Sequence, residues 1–205
     1  KRLMALFSFS DPISLNLEDA SIVYYPVFYS EKSADNLFQT VLNKTPWQQD
    51  LITVYGKTYN QPRLTAFYSN TKNALEYSNI KMDPHPFSDC LTSIKNKIEK
   101  EVNTEFNSCL LNLYRDGNDS NGWHADNEKE LGKNPVIASI SFGEVRPFHI
   151  KHRTLKAERH KLNLEHGSLL IMKGEMQEYW LHQIAKTKTQ IQPRINLTFR
   201  RLIRV

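Results

Sequence analysis

The sequence predicts a mainly β fold of the α+β kind: a jelly roll flanked by N-terminal supporting helices. Three observations point there. From about Leu110 onward, β-rich runs follow one another as LLNLY, PVIASISFG, RPFHIKH, HKLNLEHGSLLIM and RINLTFRRLIRV. Gly, Asn and Asp punctuate them at even spacing, as in sandwiches and jelly-roll barrels, where sequential hairpins need no crossover helices. Only two stretches, both upstream of these runs, carry helical periodicity.

The first helix is expected over residues 30–44, SEKSADNLFQTVLNK, with Ser30 or Ser33 as N-cap and Leu37, Val41 and Leu42 on one face. Residues 51–82 read as strands and loops, LITVYGKTY and RLTAFY being the clearest. The second helix is expected over 87–102, with Ser88 as cap and Leu91, Ile94, Ile98 and Val102 at helical spacing. Both helices should cover a sheet. At 205 residues the chain is long enough for one domain with a full core, and no linker or repeat divides it.

A hydrophobic fraction of 40% and a charged fraction of 24% argue against disorder. The net charge of +5 favours polyanionic partners such as nucleic acid. Cys90 and Cys109 are too few for a disulfide scaffold or a Cys-rich zinc site, which suggests free thiols in a reducing compartment. No apolar run reaches the ~18 residues of a membrane span. An intracellular location is expected: nucleus, cytoplasm or bacterial cytoplasm.

The stretch NGWHADNE, 121–128, concentrates the chemistry. After an expected tight turn at Gly122, extended backbone places His124 and Asp126 on one face, about 7 Å apart. An imidazole and a carboxylate so placed can share a divalent metal, or form an ordinary surface pair. His182 in EYWLHQI is the best third ligand. Two histidines and one carboxylate leave three positions open on a metal, which suits Fe(II) with a co-substrate and O2; structural zinc closes its fourth position. His149 and His152 read as exposed or paired, His166 as a turn residue, and His85, between prolines, as loop geometry.

In PRINLTFRR, alternation puts Arg194, Asn196, Thr198 and Arg200 on one face and Ile195, Leu197 and Phe199 on the other. The two guanidinium-bearing positions lie roughly 20 Å apart along the strand. Their side chains, reaching inward, could close on a short dicarboxylate by bidentate pairing. Alternatively the strand is an edge decorated with arginines. Asn112 and Tyr114 also share a face, either hydrogen-bonding the same dicarboxylate or ending a sheet face.

These residues resemble the AlkB family of Fe(II)- and 2-oxoglutarate-dependent dioxygenases, in the branch that repairs nucleic acid. The matching pieces are NLY (112–114), WHAD (123–126), IASISFG (137–143), HGSLLIMKG (166–174), WLH (180–182) and PRINLTFR (193–200), with QPRLTAFY and YSN upstream. The resemblance spans roughly residues 45–202. It implies a double-stranded β-helix, with 110–202 as the catalytic jelly roll and 45–82 as a nucleotide-recognition lid. It also implies Fe(II) on His124, Asp126 and His182. Arg194, helped by Tyr114, would take the far carboxylate of 2-oxoglutarate, while Arg200, Asn112 and Asn196 would stand near its chelating end.

The family flips a methylated base from its strand. Trp47, Tyr77 and Glu128 would contact that base, Glu128 at its exocyclic amine. Leu75 departs from the pattern, standing where relatives often carry a second tyrosine. Alternatively, Trp47 and Tyr77 pack in the core. Lys57, Arg63, Lys72 and Lys81 could contact phosphates or be solvated loop charges. The implied reaction is oxidative demethylation of N1-methyladenine and N3-methylcytosine in methylated DNA or RNA, with formaldehyde released and 2-oxoglutarate decarboxylated. A regulatory RNA demethylase, a non-catalytic nucleic-acid-binding module, and oxidation of a protein or small molecule are the alternatives. A monomer is expected.

Overall fold

The structure, a computed structural model, describes residues 11–54, 56–70, 75–77 and 80–203. It opens on a hairpin ahead of the expected elements: β1 (Ile13–Leu17) and β2 (Ala20–Tyr25), turned over Asp19 in the left-handed region. Helix α1 (Glu31–Lys44) follows, with Ser30 extended at its N-cap and Ser30 Oγ donating to Ser33 Oγ at 2.9 Å. The hairpin of β3 (Leu51–Val54) and β4 (Lys57–Asn60) leads to β5 (Leu64–Ser69) and to a second hairpin, β6 (Leu75–Tyr77) with β7 (Ile80–Met82). Helix α2 (Asp89–Val102) starts where Ser88 Oγ accepts the Leu91 N–H at 3.3 Å, and it buries Leu91, Ile94 and Ile98 as their spacing requires.

The β-rich half begins with β8 (Ser108–Tyr114) and β9 (Asn121–His124). Gly122, expected to form a turn, lies inside β9. A 3₁₀ turn, Lys129–Leu131, precedes β10 (Ile137–Gly143) and β11 (Arg146–His152). The run HKLNLEHGSLLIM divides into β12 (Arg159–Leu164) and β13 (Ser168–Lys173). Gly167 makes the break: its φ is +76°, a conformation that a side chain would strain. A single helical turn, α3 (Met176–Tyr179), leads into β14 (Trp180–Ile184), and β15 (Arg194–Arg200) closes the fold.

Two antiparallel sheets face each other. One runs β1-β2-β13-β10-β15-β8-β5 and the other β12-β11-β14-β9. Simple sequential hairpins do not generate this order. β13 lies between β2 and β10, and β15 between β10 and β8, so the chain crosses from sheet to sheet as a jelly roll does. Phe148, Ile150, Leu164, Met172 and Trp180 form the core between the sheets. The outer face of the seven-stranded sheet is covered by both helices, through a second core that includes Ala34, Val41, Ile94, Ile98, Leu197 and Phe199. Among the described residues no helix is long and apolar enough to cross a membrane.

Strand β15 lies between the two cores. Ile195, Leu197 and Phe199 belong to the core under the helices. Period-two alternation then turns Arg194, Asn196, Thr198 and Arg200 inward, and all four are buried. These are not the solvated arginines of a sheet edge.

Candidate active site

Strands β9 and β14 deliver the two histidines. They pair antiparallel with His182 directly opposite His124, and the imidazole centroids are 4.3 Å apart. Asp126 follows β9 by two residues. The ligand atoms of His124, Asp126 and His182 all lie within 4.8 Å of one another, close enough to share one cation.

Electrostatics puts each group in its metal-binding form. Burial, reinforced by the neighbouring His124, pushes His182 down to about 3, so its imidazole is neutral near pH 7. His124 is also lowered, chiefly by burial. Its Nδ1 lies 2.7 Å from the Gly122 carbonyl, which can only accept, so Nδ1 carries the proton and Nε2 keeps its lone pair. Burial alone would raise Asp126, but the Arg200 guanidinium and the two histidines hold it below the usual carboxylate range.

Asp126 is positioned through two contacts. Arg200 Nη2 donates to its Oδ1 at 2.6 Å, and its backbone N–H donates to Gln177 Oε1 at 2.9 Å. Arg200 therefore stands against the carboxylate rather than in the cavity lining, which modifies the expectation of two arginines gripping one dicarboxylate. Arg194, at the other end of β15, is buried with donors left over. It is 1% accessible, and Nη2 donates to Ser141 Oγ at 2.8 Å, while Nε and Nη1 have no partner. Burial lowers it to about 10, still charged at neutral pH, and its guanidinium carbon lies 5.3 Å from the centroid of the Tyr114 ring. Buried donors without acceptors are costly, and an anion would satisfy them.

Arg194, Tyr114, Asn112 and Asn196 line the same cavity as His124, Asp126 and His182. Asn196 is fixed by donating to Ser139 Oγ at 2.7 Å and to the Ile140 carbonyl at 3.0 Å. Asn112 Oδ1 accepts from Arg63 Nε at 2.7 Å. Arg63 is thus buried in the wall beside the cavity, not a lid cation free for phosphate.

The expected base contacts fare differently. Trp47 donates its indole N–H to the Leu42 carbonyl at 3.0 Å and packs on the core beneath the helices, across the large sheet from the cavity. There it is half-buried against the helices and is not among the residues that line the cavity. Tyr77 ends β6, but its side chain lies outside the described residues, as do those of Lys72 and Lys81. Glu128 is half-buried, and its Oε2 has no hydrogen-bond partner. Burial raises its carboxyl, against the pull of Arg200. The other histidines stay apart from the triad: His152 is buried against Asp19 at 3.3 Å, and His166 Nδ1 accepts the Gly143 N–H at 2.7 Å.

Sequence reasoning missed Ser139, Ser141, Gln177 and Arg146. The serines had a signal, two hydroxyls at alternate positions of an apolar strand, on the register of Thr198 and Asn196. Arg146 reaches the carbonyls of Asp116, Asp119 and Ala185, and its guanidinium carbon lies 5.7 Å from the centroid of the Tyr114 ring. Nothing in RPFHIKH distinguishes it from a surface arginine.

A jelly roll that brings two histidines and a carboxylate together beside a buried arginine with free donors defines a class, the non-haem metal oxygenases with a facial triad. The signature of the 2OG-Fe(II) oxygenase superfamily matches residues 21–200. Human "Alpha-ketoglutarate-dependent dioxygenase alkB homolog 3" is 40% identical over 188 residues, covering 87% of this chain and 65% of that protein. Mouse "DNA oxidative demethylase ALKBH2" is 31% identical over 189 residues, covering 87% of this chain and 79% of that protein. The chain belongs to the AlkB family of 2OG-Fe(II) oxygenases. The solved structure titled "The structure of OsALKBH1" has the same fold, with a TM-score of 0.65 at 16% identity, covering 91% of this chain and 100% of that one. Of the alkB homolog 3 proteins it matches, the chain spans about two thirds of the length, 65% for the human one.

Membership implies Fe(II), 2-oxoglutarate and O2, and the residues fit them. The three converging ligand atoms are neutral or anionic as a divalent metal needs. The unpartnered Nε and Nη1 of Arg194 suit a carboxylate.

Proposed function

We propose that this chain catalyses oxidative demethylation of N-alkylated bases, N1-methyladenine and N3-methylcytosine, in DNA and RNA, as direct reversal of alkylation damage. One observation carries the reading: a three-ligand cluster and a buried arginine with free donors share one cavity between the sheets. His124, Asp126 and His182 would hold Fe(II), which would supply O2 activation coupled to decarboxylation of 2-oxoglutarate and oxidation of the N-methyl carbon. Arg194 binds the far carboxylate of 2-oxoglutarate, with Tyr114 and Ser141 orienting the guanidinium. Asn112 and Asn196 supply polar contacts along the cavity, and Arg200 holds Asp126 in its ligating pose.

The apolar wall of Phe148, Leu164, Met172 and Ile184 excludes water from the reacting carbon. Glu128, with its free Oε2, favours a cationic methylated base over the neutral undamaged one. Tyr77 contacts the flipped base, and residues 45–82 serve as the recognition lid over the catalytic core, 110–202. The oxidised methyl leaves as formaldehyde, with succinate and CO2 as co-products. The enzyme works as a monomer in a reducing compartment, which the free Cys90 and Cys109 support.

The test is mass spectrometry of methylated DNA and RNA oligomers incubated with Fe(II) and 2-oxoglutarate. Loss of one methyl mass with the intact chain, and none with Asp126→Ala, is expected. No loss from either polymer would sink the reading, and a large preference for RNA would turn it toward regulation.

A further inference from the structure

The four-stranded sheet presents two opposite faces. Phe148, Ile150 and His152 of β11 point inward and are buried. Their alternates point outward, where register places Lys151 beside Arg159 and His149 beside Lys161. Arg159 and Lys161 are exposed, and His149 and Lys151 are half-exposed. Across the sheet, Trp123 on the edge strand β9 is 38% exposed, and Lys151 Nζ lies 4.2 Å from its ring centroid. That contact spans the intervening β14, a reach of two strand spacings or about 10 Å.

The charge on this face has one sign. None of the chain's 22 acidic residues falls within β9, β11, β12 or β14. The flanking carboxylate Glu158 is engaged with His160 at 3.1 Å. A large sheet covers its outer face with two helices, whereas this one leaves cations and an indole open to solvent. The face also adjoins the cavity: Trp123 precedes His124, and Asn121 of β9 and Gln183 of β14 line the pocket.

We propose that this outer face binds the sugar–phosphate backbone of a single-stranded nucleic acid beside the base held in the cavity. Lys151, Arg159 and Lys161 contact phosphates, and Trp123 stacks an unpaired base. The inference rests on the demethylation reading only for what enters the cavity; the binding surface stands by itself. It implies that affinity grows with the length of single strand flanking the lesion.

Fluorescence anisotropy of a labelled, unmethylated single-stranded 20-mer tests the surface without turnover. The triple variant Lys151→Glu, Arg159→Glu, Lys161→Glu is expected to bind at least about tenfold more weakly and to lower the slope of log affinity against log salt by roughly 2, three phosphate contacts at about 0.7 each. Trp123→Ala should weaken binding with the salt slope unchanged. An unchanged melting temperature and unchanged Co(II) binding keep misfolding out of the result. In turnover, KM should rise for a methylated 20-mer but not for a methylated trinucleotide. Undiminished 20-mer binding by the triple variant overturns the proposal. So does equal loss on both lengths, or loss of anionic vesicle binding alone. Binding through this face without formaldehyde release would defeat the demethylation reading instead, and release with undiminished binding would defeat only the surface.

Discussion

Asp126 is fixed at two points, by Arg200 on its carboxylate and by Gln177 on its backbone N–H, and neither contact was legible in the sequence, which put Arg200 beside the dicarboxylate. His124 and Asp126 could be read because extended backbone fixes the relation of residues i and i+2. The Gln177 link joins a loop to a one-turn helix 51 positions on, which no period encodes. Partners that orient ligands commonly set metal affinity by ~10–100-fold. Gln177→Leu should therefore weaken Co(II) binding by about tenfold or more in an anaerobic titration, with the fold retained; unchanged affinity would reduce Gln177 to packing. Arg194 offers a second test. Lysine keeps the charge but loses the planar fork, and one charge-assisted hydrogen bond is worth about 1.5–3 kcal/mol. Arg194→Lys should raise the KM for 2-oxoglutarate by roughly tenfold to a hundredfold, since those bonds form on binding. Trp47 shows the limit of reading by residue type: an indole beside a helix end reads alike as base platform or as core, and no sequence pattern foretells its contact with Leu42.

At the scale of elements, the two faces of β15 were legible from strict alternation, while the burial of its arginine face, against an exposed edge, needed the second layer to be seen. The β1–β2 hairpin was equally patterned, with Ile13, Leu15 and Leu17 alternating before a Glu-Asp turn, yet so short a run does not announce that it extends a sheet beside β13. The crossovers were not legible either, since strand order depends on which distant edges meet. The loop between β8 and β9 shows what such contacts do. Asp119 accepts from the backbone N–H, Nε and Nη2 of Arg115 at 2.8, 2.8 and 2.9 Å, while its carbonyl accepts from Arg146. Burial alone would raise its carboxyl, but these donors hold it below the ordinary 3.8. A depressed carboxylate stabilises the fold above its unfolded value and loses that contribution as pH falls through the folded one. The melting temperature should thus decline below about pH 4, and Asp119→Asn should flatten that decline while lowering stability at pH 7. Identical acid profiles for the two proteins would show that the loop contributes nothing to it.

For the molecule as a whole, the proposed ligands make stability depend on loading. The three proposed metal ligands come from β9, the segment after it and β14, while Arg194 comes from β15 in the opposite sheet. A metal with a dicarboxylate bound to it would thus bridge the two sheets through one cavity, which the unfolded chain cannot reproduce. A ligand that binds only the folded state adds RT ln(1 + [L]/Kd), about 2.7 kcal/mol at a hundred times Kd. For a chain of this length each kcal/mol moves the midpoint by about 2–4 °C. Anaerobic Co(II) with saturating 2-oxoglutarate should raise the melting temperature by roughly 5–10 °C by these relations. The dependence should be ordered. 2-Oxoglutarate alone should give a small shift through Arg194, metal alone an intermediate one, and the pair more than their sum, because the same molecule would be held at both ends. Asp126→Ala should abolish the metal shift, Arg194→Met should remove the increment from 2-oxoglutarate while leaving the metal shift, and a chelator should return the wild type to its unloaded midpoint. Additive shifts in the wild type would place metal and dicarboxylate in separate sites and break the link between the two sheets on which the proposed chemistry depends.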